Sequence, residues 1–64
     1  MVRVVEYGDN IGTLKNLFVD LQPAVIFVKR IMDFTGNRYQ IIGPYKWYCH
    51  EKQEYIKIED ESMN

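Results

Sequence analysis

The chain has 64 residues, with eight Lys and Arg against nine Asp and Glu, and 47% of its residues are hydrophobic. That balance excludes a disordered chain, which carries fewer apolar residues and a more lopsided charge. The net charge of −1 excludes a strong generic pull toward nucleic acid or anionic membrane, and the length allows one domain near the lower limit for independent folding.

In chain order, Val2 to Tyr7 is rich in β-branched residues and predicts a first strand, ended by Gly8-Asp9-Asn10. Leu14, Leu17, Phe18 and Leu21 then fall at i, i+3, i+4 and i+7, the spacing of one helix face. Thr13 suits its start, and Pro23 is expected to stop it, because the residue before a proline avoids helical geometry. A strand from Gly12 onward is the competing assignment. From Ala24, the run Val25-Ile26-Phe27-Val28 predicts a buried strand continuing to Phe34. Thr35-Gly36-Asn37-Arg38 predicts a hairpin turn, and Arg38 to Ile42 the return strand, pairing Phe34 with Tyr39 and Met32 with Ile41. Gly43-Pro44 marks an edge, bulge or corner, since proline has no N–H for a ladder.

The last hairpin carries the clearest alternation. With Glu51 to Glu54 as its turn, His50 faces Tyr55, Tyr48 faces Lys57 and Lys46 faces Glu59. Tyr45, Trp47, Cys49, Ile56 and Ile58 then share an apolar side. The opposite side carries Lys46, Tyr48, His50, Tyr55, Lys57 and Glu59. The expected fold is α+β: one strand, one short helix and a three- to four-stranded antiparallel meander within residues 1–59, with 60–64 a frayed acidic tail. The alternative is an SH3-like five-stranded small barrel in which Gly12 to Leu21 is a strand.

Chemistry-bearing motifs are few. Cys49 beside His50 suggests a thiol nucleophile, but neighbours on a strand point to opposite faces, so the imidazole does not reach the sulfur. The carboxylates of Glu51, Glu54, Glu59, Asp60 and Glu61 lie in a turn and a polar tail. Glycines are isolated, with no phosphate-binding loop. No enzyme activity and no cofactor are expected. One Cys and one His make a zinc site unexpected as well. Small scaffolds usually need a staple, and with disulfide and metal set aside a homodimer is the expected one. The free thiol suits a reducing compartment, the cytoplasm. Charges within the first residues argue against a secretory signal, and Ala24 to Val28, the longest apolar run, is too short for a membrane span.

The patch singled out is Lys46, Tyr48, His50, Tyr55 and Lys57, extended by Arg38. Interleaved aromatics and cations suit a protein partner, because Tyr and Arg are enriched in interface hot spots. They also suit single-stranded nucleic acid, where rings stack bases and cations neutralise phosphates. The acidic end of the chain would repel a phosphate backbone, and the pI of about 5.7 is low for a nucleic-acid binder. A protein-binding module is therefore expected, a regulator or inhibitor that occupies a partner's surface, as small viral and phage proteins do when they block host factors. The alternative is a small nucleic-acid-binding domain.

Overall fold

A computed structural model describes residues 1–36 and 38–60. The chain runs β1 (Val2–Gly8), β2 (Gly12–Phe18), α1 (Leu21–Thr35), β3 (Tyr39–Gly43), β4 (Lys46–Cys49) and β5 (Glu54–Asp60). The strands form one antiparallel sheet in the order β2-β1-β5-β4-β3, which is open at β2 and β3. The fold is α+β, with five strands and one helix among the described residues. The barrel alternative fails because the sheet does not close, although its strand after Gly12 is present.

The helix stands later in the chain than the leucine spacing predicts. Residues 12–18 are β2, zipped onto β1 from Gly8↔Gly12 to Val2↔Phe18. In an antiparallel hairpin each β2 residue gains a cross-strand partner, and these pairings override the helical spacing of Leu14, Leu17, Phe18 and Leu21. Consequently Leu14 and Leu17 are exposed and do not share one buried helix face, while Phe18 and Leu21 do pack on the core.

The expected strand Ala24 to Phe34 is instead α1. Asp20, extended at φ −142° and ψ 163°, caps its start, and its carboxylate accepts from the Leu21 N–H at 2.8 Å. Pro23 is the third helical residue. It does not stop the helix, because the first-turn N–H groups have no intrahelical partner to lose. Gly36 ends the helix in the left-handed region at φ 66°, where a side chain would be strained. Ala24 and Val28, one turn apart, are fully buried and meet Val2, Val4 and Ile56 of the sheet. Phe27, Ile31 and Met32 flank them. Thus β3 pairs with β4 alone, and the expected Phe34–Tyr39 and Met32–Ile41 pairs do not form.

Further corrections concern the C-terminal hairpin. The β4–β5 register is Cys49↔Glu54, Tyr48↔Tyr55, Trp47↔Ile56 and Lys46↔Lys57, two positions away from the predicted pairing. A shift by two preserves the faces, since side chains alternate with a period of two. The turn is His50 to Gln53, with Gln53 at φ 55°. Tyr45 leaves the apolar row: it lies with Pro44 in the β3–β4 turn at φ 54°, and its carbonyl accepts from the Ile58 N–H at 2.9 Å. Asp60 belongs to β5, opposite Val2, rather than to a tail. Asn37 and residues 61–64, where a turn position and the acidic tail were expected, lie outside the described residues. Among the described residues no helix is long and apolar enough to cross a membrane.

Candidate binding face

The helix covers one side of the sheet and leaves the other open. Strand alternation with the observed registers assigns Arg3, Val5 and Tyr7 of β1 to the open side. Thr13, Lys15 and Leu17 of β2 join them, with Tyr55, Lys57 and Glu59 of β5, Lys46 and Tyr48 of β4, and Gln40 of β3. A row of rings crosses this face. Tyr7 and Tyr55, direct partners on β1 and β5, are stacked with centroids 5.0 Å apart and planes 12° from parallel. Tyr48, opposite Tyr55 on β4, meets it at 4.6 Å and 44°. His50 closes the row, edge-on to Tyr48 at 4.7 Å. Its Nε2 lies 2.9 Å from Gln40 Oε1, within hydrogen-bond distance.

Cations border the row. Lys57 Nζ stands 5.4 Å from the Tyr7 centroid, within cation–π range. Lys46 is the direct partner of Lys57, and Lys15 and Lys57 flank Val5 in register. Val5 is 4% exposed although it belongs to the open side, where Arg3 and Tyr7 are its same-side neighbours along β1. The described strand positions of the face thus gather four cations (Arg3, Lys15, Lys46, Lys57) against one acid, Glu59, with Asp9 at the turn end, in a chain whose net charge is −1. Glu59 stands opposite Arg3 and lies 3.7 Å from Lys57 Nζ, an exposed contact of small energetic weight. At the β1–β2 turn end the rings open into a shallow concavity of about 630 Å³, lined by Tyr7, Asp9, Thr13, Tyr48, Gln53 and Tyr55.

Of the six residues singled out from the sequence, Lys46, Tyr48, His50, Tyr55 and Lys57 come together here. Arg38 does not join them: it is exposed and precedes β3, at the sheet edge away from β1. Tyr7, Lys15, Thr13, Asp9 and Gln53 are additions. The β-branched run from Val2 to Tyr7 predicts the strand that carries Tyr7, but only the pairing of β1 with β5 sets its ring against Tyr55.

The sheet's other side holds the remaining titratable groups of interest. Cys49 is a free thiol, fully buried there, while the His50 ring engages Tyr48 and Gln40. Partial burial raises the Glu6 carboxyl above its ordinary value; Glu54 adds to the rise and Lys52 opposes it. Burial likewise raises the Tyr39 hydroxyl, reinforced by Cys49, Glu54 and Glu6 and opposed by a hydrogen bond with Thr35. Among the described residues no three His, Cys, Asp or Glu side chains are grouped to hold a metal ion. No protein-family model matches this chain, and no curated protein or solved structure is significantly similar to it.

Proposed function

We propose that this protein is a binding module, without catalytic activity, whose open sheet face takes an acidic segment of a protein partner and so regulates or blocks that partner. The observation that carries this reading is the tyrosine row of Tyr7, Tyr55 and Tyr48 set among Lys15, Lys46 and Lys57. Tyrosines offer a large rigid contact at low entropic cost, and a cation-rich border steers an anionic surface toward them.

Single-stranded nucleic acid is the second reading, favoured by the concentration of cations on a face of a chain that is acidic overall. It ranks lower for a geometric reason. Base binding needs aromatic faces turned to solvent, whereas Tyr7 and Tyr55 turn a face toward each other and leave edges and hydroxyls for a ligand. Edges and hydroxyls suit peptide groups better than bases.

Amide NMR titrations separate the two, using a synthetic Asp/Glu-rich peptide and an oligothymidylate of equal charge. The protein-binding reading expects shifts with the peptide at residues 7, 48, 55 and 57. Larger shifts with the oligonucleotide, fading steeply as salt rises, would transfer the face to the nucleic-acid reading. Absence of shifts with both probes refutes the open face as an anion-recognising surface.

A further inference from the structure

The two edges of the sheet are unlike. At one end β3 has five residues, a register irregularity between Ile41 and Gly43, and a proline directly after Gly43. Shortness, bulges and proline are the usual protections of a strand edge. At the other end β2 has seven residues paired without interruption to β1, no proline and a single charge, Lys15. Among the described residues no strand pairs with its outer side. It also presents apolar side chains on both faces of the sheet: Leu14 is 51% exposed and Leu17 64%, with Val19 beyond the strand at 94%.

We propose that the outer edge of β2 pairs antiparallel with the β2 of a second copy, with Asn16 on the two-fold axis, doubling the sheet. A two-fold axis normal to the sheet keeps each face continuous, so paired residues must both be odd-numbered or both even-numbered. Centring on Lys15 would set two ammonium groups directly opposite, which is destabilising. Centring on Leu14 or Leu17 leaves the Leu14–Phe18 pairing unmade. Centring on Asn16 sets an amide against an amide, each able to donate and accept. It also pairs Leu14 with Phe18 of the second copy and Lys15 with its Leu17. Phe18 already meets Phe27 of α1, tilted, with centroids 5.1 Å apart, and packs against the core, so Leu14 of the second copy extends that core across the axis. Among the described residues the core cluster holds five buried side chains, Val2, Val4, Ala24, Val28 and Ile56, and a chain of this size gains from a second copy what so small a core does not supply.

Sedimentation equilibrium from micromolar to millimolar concentration tests this, together with hydrogen exchange. The expected result is a mass of twice 7.7 kDa at the upper end, with β2 amides that exchange more slowly as concentration rises. Leu14→Lys, which removes two symmetric contacts, is expected to weaken the dimer about a hundredfold. Asn16→Asp, which sets two carboxylates on the axis, is expected to weaken it about tenfold. Ile41→Lys on the β3 edge leaves it unchanged. Leu14, Asn16 and Ile41 are exposed in the single chain, and circular dichroism verifies that each variant keeps the fold. A mass of 7.7 kDa at every concentration overturns the proposal. So does a dimer indifferent to both β2 variants, or β2 protection that arises only on adding a foreign strand.

Discussion

Tyr55 is the keystone of the ring row, since among the described rings it pairs with both Tyr7 and Tyr48. Replacing it with Ala removes two aromatic pairs, each contributing about 1 kcal/mol, and the burial of a half-buried ring contributes about 1 kcal/mol more. The expected loss is therefore about 3 kcal/mol. That is a large share of the roughly 3–10 kcal/mol available to a chain of this length, and it lowers the melting temperature by about 10–20 °C. The Tyr7–Tyr55 term can be isolated by urea unfolding of Tyr7→Ala, Tyr55→Ala and the double variant. The coupling energy is expected near 1 kcal/mol. A coupling indistinguishable from zero would show that the two rings do not stack in solution, and the row would lose its claim to be a preorganised surface. Tyr55→Phe, which keeps the ring, should retain stability and so separate the hydroxyl's part in binding from the ring's part in the fold.

Val28→Ala empties space at a fully buried helix position facing Val4 and Ile56, and should cost roughly 2 kcal/mol in chemical denaturation. Gly8→Ala should destabilise by on the order of 1–3 kcal/mol, because an added Cβ would lie 2.7 Å from the Gln53 carbonyl oxygen. Gly43→Ala, whose nearest neighbour is the Lys46 side chain at 3.7 Å, should be tolerated and serves as the control. Glu6→Gln should stabilise the fold at neutral pH. The Glu6 carboxyl is raised in the folded state, so folding favours its protonated form, and its contribution is lost as pH rises from the ordinary carboxylate value through the raised one. The advantage of the Gln variant should therefore shrink on acidification; an advantage that is constant with pH would contradict the burial account.

Local chemistry alone determined the two faces of the C-terminal hairpin. The alternation from Lys46 to Glu59 separates Trp47, Cys49, Ile56 and Ile58 from Tyr48, Tyr55 and Lys57. That separation survives the actual register because the pairing error was an even one. The helix boundaries are also present as local signals, Asp20 before and Gly36 after, although Pro23 just inside the start reads locally as a stop. Residues 12–35 were ambiguous for a physical reason. Leu14, Leu17 and Phe18 fit a helical period, while the unbroken run Val25 to Val28 has no period and suits a buried helix or a buried strand alike. Tertiary pairing settled both. The β1–β2 hairpin claimed 12–18 as strand, and the helix that follows covers the apolar side of the sheet with Ala24 and Val28. The candidate face needed still longer reach. Tyr7 and Tyr55 stack because β1 pairs with β5 across nearly the whole chain, from Gly8↔Glu54 to Val2↔Asp60. No local propensity encodes that pairing; it forms because the apolar sides of both strands must be buried under one helix.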